Sequence, residues 1–554
     1  MNQNQEMADL LFGQNKYTRD EVLKMYPRRD KNTVVTRFAP SPTGFLHIGG
    51  VYTALINRKF ASQNNGVFIL RIEDTDKKRE VKGSKEIILN VFDRFGISVD
   101  EGVCLNSEKG KYGPYVQSNR VEIYHAMAKY LVQKGMAYPC FCTEDELNEI
   151  RSKQIALKKD PGYYGEFAKY RNITVDEAKK HLANNEPYVL RFRVSDDAPE
   201  RVVITDLIKG CIEMENNRND FVLLKEDGVP TYHFAHACDD YLMGTTNVIR
   251  SDEWVASLPI HMALFDALEF EMPQYAHVSP IMKLDGESKR KLSKRKDPES
   301  SAEYYLEKGY PIRAIYVYLY TLINSNFEEW YTNHFDADLD DFLFSYDSMS
   351  TSGALYDLEK LNNISSEIIY STSPEENAKN AILWAKEFSN DTYNLMVNDE
   401  EFVLRLMKTQ GPKSSEHRKD LYCYSNFLDV FGIFYDEIYN KNDDTYINAI
   451  LENIKKEEFD EVFNAFINFF QEQKIGSNKT LKDLSNELNY TNAKKFNNNP
   501  GVYRGIVFQF YKALRIALTH KESGISMEDV ILCLGYDKVI ERLTRTINDF
   551  HKNN

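Results

Sequence analysis

The stretch Thr36-Arg-Phe-Ala-Pro-Ser-Pro-Thr-Gly-Phe-Leu-His-Ile-Gly-Gly50 leaves an apolar run, crosses a proline-rich loop and ends in a histidine followed by two glycines. Residues 34–38, Val-Val-Thr-Arg-Phe, read as a core strand. Pro40 and Pro42 each fix their own φ and push the preceding residue away from helix, so the strand must give way to a loop. A helix is expected from near Gly49, with Val51, Leu55 and Ile56 able to face a sheet. Residues 67–72, Val-Phe-Ile-Leu-Arg-Ile, form the next buried strand and end in Glu73-Asp-Thr-Asp76. Strand, loop, helix and strand of these lengths open a parallel α/β unit.

Outward from this unit the chain changes texture several times. Residues 1–31 are polar and charged and read as a peripheral extension. Residues 221–224, 228–235 and 247–250 resume an α/β pattern, followed by a helix through Trp254 and His261. Between the two halves, a charged helix over 144–158 and short strands such as 188–194 read as an inserted domain. Beyond about residue 310 the pattern is almost wholly helical, with polar connectors at 434–444 and 491–500 and no repeat of solenoid period. The expected division is an extension (1–31), a Rossmann-like first half (32–120), an α+β insertion (121–225), a second half (226–285), a domain that opens with the basic loop (286–370) and a helical region (371–554).

A chain of 554 residues exceeds one hydrophobic core, and 42% apolar residues argue against disorder. The net charge of −15 disfavours a protein that coats nucleic acid nonspecifically, yet six cations crowd residues 289–296. Seven cysteines make no disulfide framework, and neither a signal peptide nor an apolar run of about 18 residues is found, so a cytoplasmic protein without membrane association is expected. The basic run contains Lys291-Leu-Ser-Lys-Arg295. Two lysines three apart on a loop are suited to following charge as it moves onto a leaving group, and a glycine-edged helix start lets a backbone approach a phosphate. Together they describe a triphosphate held at both ends.

With both motifs in order, and with residues 236–244 and 248–254 between them, the chain resembles the bacterial glutamyl branch of the class I aminoacyl-tRNA synthetases over roughly 32–550. The first signature stands as His47-Ile-Gly-Gly50 and the second as Lys291-Leu-Ser-Lys-Arg295. The resemblance implies a class I Rossmann-like α/β fold with an inserted acceptor-end domain and an all-helical anticodon-binding region. It implies ligation of L-glutamate to tRNA-Glu through a glutamyl adenylate, with ATP and Mg2+ as the substrate complex, by a monomer. Charging of tRNA-Gln as well is the alternative.

Residue by residue, the resemblance makes His47, Lys291 and Lys294 catalytic, with Thr43, Gly49, Gly50, Leu292, Ser293 and Arg295 on the nucleotide. It puts Arg37, Ser41, Glu73, Tyr232, His236 and Arg250 on the amino acid, with Glu73 taking the α-ammonium. A guanidinium fork suits a carboxylate, and an amide substrate would leave an arginine unpaired at a cost. His236 stands where many members carry Asn, and its protonation would add pH sensitivity. Asp240, Glu253 and Trp254 are expected on the nucleotide side.

Cys140 and Cys142 form a Cys-x-Cys pair where some relatives hold zinc, but residues 162–172 supply neither Cys or His, so no fixed zinc is expected. Arg504, Lys512 and Arg515 are candidates to contact RNA, beside an apolar face around Phe508, Leu514 and Leu518. Two relatives in class I compete with this reading, the glutaminyl enzyme and an enzyme that modifies a tRNA base with glutamyl adenylate. A regulatory protein with a dead nucleotide fold is a third reading.

Overall fold

The computed structural model describes residues 3–293, 295–411, 418–441, 445–499 and 501–552. The chain divides into two compact units, Met1–Tyr304 with Leu319–Asp357, and Tyr305–Tyr318 with Leu358–Asn554.

The first unit begins with helices α1 (Gln3–Phe12) and α2 (Arg19–Met25), the latter closed by a Thr18/Glu21 capping box. The expected peripheral extension is in fact anchored, because Met7, Ala8, Phe12, Val22 and Tyr26 are buried in one apolar cluster with α5 (Val121–Gln133). Strand β1 (Val35–Phe38) is buried at every position and leads through the proline loop into α3 (Ile48–Gln63). Strand β2 (Val67–Leu70) pairs parallel with β1, and β3 (Glu101–Val103) pairs parallel with β2. The amphipathic α4 (Ser84–Phe95) connects the last two.

The sheet continues with strands from much later in the chain. Strand β10 (Asn247–Ser251) runs parallel to β11 (Gln274–Val278), and the N–H of Thr246 donates to Val35 O at 3.0 Å, joining β10 to the edge of β1. Helix α8 (Tyr232–Leu242) precedes β10, and α9 (Leu258–Ala267) connects β10 to β11. All four residues of β1 and the first four of β10 are buried, as a parallel sheet covered on both faces requires.

Strands β5 (Ala137–Cys140), β6 (Val189–Phe192) and β9 (Val222–Leu224) make a separate antiparallel sheet, accompanied by α6 (Glu144–Ala156) and α7 (Val175–Ala183). Residues 201–215, which the sequence reading groups with this insertion, form instead a hairpin of β7 (Arg201–Asp206) and β8 (Gly210–Glu215). Its first strand lies beside β11 through Asp206 and Tyr275. A second hairpin, β12 (Met282–Asp285) and β13 (Ser288–Lys291), carries the second signature, and its Met282 is clasped by Ala354 O and the N–H of Tyr356.

The second unit is helical around a phenylalanine-rich core. The helix Phe459–Lys474 buries Phe459, Phe463, Phe466 and Phe470, and Phe550 stacks on Phe459 at 3.9 Å between ring centres. The stretch Met527–Lys552 breaks at Gly535, whose φ of 73° favours glycine. The polar segments expected to be soft connectors are structured where described: Asp436–Tyr439 and Ala493–Asn498 are short helices, with Tyr435 and Tyr439 buried. Tyrosine supplies the apolar area that the polar composition hides. Among the described residues no helix is long and apolar enough to cross a membrane.

Candidate active site

The loop after β1, the start of α3, the start of α8, the end of β10 and the start of the second signature enclose one cavity of about 700 Å³. His47 caps α3: its Nδ1 accepts from the N–H of Gly49 at 2.9 Å, and its Nε2 lies 3.2 Å from Leu292 O. An accepting Nδ1 carries no proton, so the proton resides on Nε2 and is donated to the carbonyl. The N–H of Gly49 is thus taken by the histidine and that of Gly50 by His47 O at 2.7 Å, not left open as the sequence reading supposes. Glycine at 50 has a packing reason too, since a Cβ there would meet Leu46 Cδ1 at 2.8 Å and Phe38 Cζ at 3.3 Å.

The second signature is held by its one apolar residue and by an acid beyond it. Leu292 is buried, and its N–H donates to Ile281 O at 3.1 Å. Asp297, also buried, accepts from Arg290 Nη1 at 2.6 Å, from Lys283 Nζ at 3.1 Å and from the N–H of Ser293 at 2.8 Å. The Arg290 hydrogen bond outweighs burial and holds the Asp297 carboxyl well below the usual range. Lys291 reaches the cavity and pairs with Glu253 at 2.8 Å. Ser293 and Arg295 are not among the residues that line it, and Lys294 lies outside the described residues.

One wall of the cavity rests on a buried ionic cluster. Arg37 Nε lies 3.1 Å from Asp240 Oδ2, and among the described residues both terminal nitrogens of Arg37 lack a protein partner. Arg71, fully buried, bridges Asp240 at 2.7 Å and Glu73 at 3.0 Å, and Arg120 pairs with Asp239 at 2.7 Å. Three guanidiniums therefore face three carboxylates in a dry interior, where each needs the others. Burial opposes the Asp240 charge, but Arg37 and Arg71 outweigh it and hold its carboxyl well below the usual range. Glu73 is shifted the other way, raised by burial against the pull of Arg71 and Arg37. Arg71 was missed in the sequence; its signal is a charge inside the apolar run of residues 67–72.

Ser41, Thr43, Gly49, Gly50, Glu73, Tyr232, Arg250, Glu253 and Trp254 all line the cavity. Tyr232 packs against Trp254 at 4.1 Å between ring centres. Two of the expected residues sit behind it. His236 is fully buried, 2.8 Å from Asp240 and 3.0 Å from the Tyr275 hydroxyl, and Asp240 is equally enclosed. Burial lowers the His236 pKa to about 3, so at neutral pH the imidazole stays uncharged and supplies none of the pH sensitivity expected of it. Lys225, also missed, reaches the cavity wall and donates to Thr75 O at 2.6 Å. With Arg37, Arg79, Arg250 and Lys291 it makes five cations against Glu73, Asp76 and Glu253, so the cavity is locally basic despite the acidic chain.

This arrangement joins two motifs 245 residues apart at one nucleotide-sized cavity. Residues 33–342 match the family described as tRNA synthetases class I (E and Q), catalytic domain. A glutamate--tRNA ligase of Clostridium perfringens (strain 13 / Type A) is 44% identical over 97% of this chain and 100% of its own length. The chain belongs to the bacterial glutamate--tRNA ligases. A relative of the same name from Acetivibrio thermocellus is 41% identical over 98% of this chain and 99% of its own. The solved structure of a glutamate tRNA ligase from Elizabethkingia meningosepticum, in complex with its amino acid, matches with a TM-score of 0.72 at 27% identity, covering 93% of this chain and 99% of that one. The enzyme thus has the class I architecture, an α/β catalytic core with an extensive helical C-terminal region.

The Cys-x-Cys pair lies beside a tyrosine. The Tyr163 hydroxyl lies 3.4 Å from Cys140 Sγ and 3.5 Å from Cys142 Sγ, while His181 stacks on Phe141 and bonds Glu186 at 2.6 Å. Among the described residues no group of three or more His, Cys, Asp and Glu is placed to hold a metal ion.

Proposed function

We propose that the cavity around His47 and Leu292 is where this enzyme activates L-glutamate with ATP and passes it to the 3′ end of tRNA-Glu, releasing AMP and diphosphate. The observation that carries this reading is the meeting of the two signatures at 3.2 Å. In the first step the α-carboxylate attacks the α-phosphorus and diphosphate leaves. The protein contributes position and charge, because phosphoryl transfer needs little covalent help. His47, with its proton on Nε2, exchanges the Leu292 carbonyl for a phosphate or ribose oxygen. Lys291 and Lys294 neutralise the departing diphosphate, and Mg2+ accompanies the nucleotide as part of the substrate.

Arg37 offers its two open terminal nitrogens, Glu73 takes the α-ammonium, and Tyr232 and Arg250 hold the side-chain carboxylate. The geometry of Arg250 changes the supposed fork. Its guanidinium donates to the Tyr232 hydroxyl at 3.2 Å and to Trp254 O at 3.4 Å, so the ligand meets one arginine N–H and the tyrosine O–H side by side. Two donors suit a carboxylate and repel the NH2 of glutamine.

For the anticodon we favour the surface around Phe508, which is 68% exposed beside Arg418, Arg515 and Lys521. An exposed ring is a stacking platform for an unpaired base, and Asp420, Asp429 and Glu522 on the same surface balance its three cations. Arg504 and Lys512 are engaged with Glu461 and Glu522, Arg418 with Asp420, and Arg515 donates to Ile525 O, so each must exchange a protein partner for the RNA. The amino-acid cavity and this surface belong to different compact units, so charging of tRNA-Gln with the same amino acid turns on the second unit alone. The enzyme works as a monomer in the cytoplasm. ATP–diphosphate exchange measured with and without tRNA tests the reaction, and side-by-side charging of tRNA-Glu and tRNA-Gln tests the partner. Absence of glutamate-dependent exchange in the presence of tRNA overturns the reading.

A further inference from the structure

Behind Arg250 lies a chain of groups that no step of the reaction uses. Arg250 Nε donates to His277 Nε2 at 3.0 Å, and Arg250 Nη2 lies 3.2 Å from His261 Nδ1. A guanidinium only donates, so both imidazole nitrogens must be unprotonated acceptors. His277 then carries its proton on Nδ1, which lies 2.7 Å from Asp206 Oδ2. Asp206 is buried and is itself fixed by the N–H groups of His277 at 3.0 Å, Ile208 at 3.0 Å and Lys209 at 2.8 Å. On the other arm His261 carries its proton on Nε2, 3.0 Å from His233 Nδ1, the acceptor.

These assignments are mutually consistent only if all three imidazoles are neutral. Burial lowers the pKa of His277 and of His261, and takes that of His233 to about 4, with the Arg250 charge acting in the same direction. Neither His261 nor His277 is exposed, and neither lines the cavity.

We propose that Asp206, His277, His261 and His233 are positioning residues that lock the guanidinium of Arg250 in a single orientation and so set the preference for glutamate over glutamine. The count of donors gives the reason. Of the five N–H groups of Arg250, one goes to His277, two to His261 and Trp254 O, and one to the Tyr232 oxygen, which leaves one for a ligand. Because Tyr232 accepts from Arg250, its own proton is turned away from the arginine and joins that last N–H as a second donor. Without the acceptors behind it the guanidinium rotates freely, and the donor pair facing the substrate loses its geometry. Asp206 belongs to the β7 hairpin, so this hairpin, remote in sequence, has a task in amino-acid selection.

The inference rests on Arg250 as the ligand of the glutamate side chain, and the test separates the two. Steady-state kinetics of the full-length enzyme with tRNA are compared for the parent, His277→Leu, His277→Gln and Arg250→Lys, with L-glutamine as competitor. His277→Leu is expected to raise the KM for glutamate about tenfold while kcat and the KM for ATP stay within about threefold, and to improve inhibition by glutamine. His277→Gln, which keeps an acceptor near the Nε2 position, is expected to restore most of the loss. If Arg250→Lys leaves the glutamate KM unchanged, the reading of Arg250 fails. If Arg250→Lys raises it and His277→Leu does not, or if His277→Leu depresses every parameter equally, the positioning role alone is overturned. A second measurement needs no variant: histidine 15N spectra of the parent enzyme are expected to show unprotonated Nε2 at His277 and unprotonated Nδ1 at His261 from about pH 6 to 8. A doubly protonated ring or the opposite tautomer at either position overturns the proposal.

Discussion

Arg71 Nη1 lies 2.7 Å from Asp240 Oδ1 with neither side chain exposed, and this pair sits at the centre of the cluster beneath the amino-acid cavity. Asp240 also holds Arg37, so one carboxylate connects an arginine away from the cavity to one that lines it. Removing a partner from such a pair leaves a buried charge uncompensated, which costs far more than the pair itself contributes.

Arg71→Met is therefore expected to destabilise the catalytic unit by roughly 3–5 kcal/mol, because Asp240 and Glu73 lose their shared partner. Chemical denaturation followed by a probe in that unit measures it. A loss below about 1 kcal/mol would show that the cluster rearranges without cost.

His47 caps α3 and lines the cavity, and its proposed contact with the nucleotide separates from the capping by substitution. Asparagine is a good N-cap, so His47→Asn is expected to retain stability while ATP–diphosphate exchange falls by about 100- to 1,000-fold. His47→Ala is expected to lose about 1 kcal/mol in addition. Equal exchange rates in the Asn variant and the parent would remove His47 from the chemistry.

Asp297 tethers the second signature without lining the cavity. Asp297→Asn weakens the holds on Arg290 and Lys283 and is expected to lower turnover by about tenfold, with the KM for glutamate little changed. Single-turnover adenylate formation distinguishes a slower chemical step from slower release. An unchanged single-turnover rate would mean that the tether is dispensable.

Burial raises the Glu73 pKa from its ordinary value of 4.5, so on acidification this carboxylate is protonated earlier than an exposed one. In its proposed role, the pull of Glu73 on the substrate ammonium is present at neutral pH and lost as pH falls through the raised value. The KM for glutamate is thus expected to climb at pH values above 4.5, where the substrate side chain is still ionised. Glu73→Gln is expected to raise the neutral-pH KM and flatten that climb; a parallel climb in the variant would assign the titration to another group.

Local chemistry made much of the site readable. Pro40 and Pro42 end a strand whatever surrounds them, and a basic run with one apolar residue, Leu292, already marks the point at which a loop must be anchored. The apolar run of β2 likewise carries its own signal, because a strand of a covered parallel sheet is buried on both faces, whereas β1 is buried throughout although it contains Thr36 and Arg37. Asp206 and His277 were not readable in this way: alone, a histidine in a strand and an aspartate at a hairpin carry no sign of one another.

Sequence alone thus determined the α/β class, the two signatures and nearly half of the residues that line the cavity, since torsional limits and apolar spacing act over a few residues. Tertiary structure alone decided which charges are buried, which tautomers the histidines hold and how many N–H groups of Arg250 are taken by protein partners. Those properties depend on partners up to about 200 residues away and on the exclusion of water, and neither distance in space nor burial is written in any local stretch of the chain.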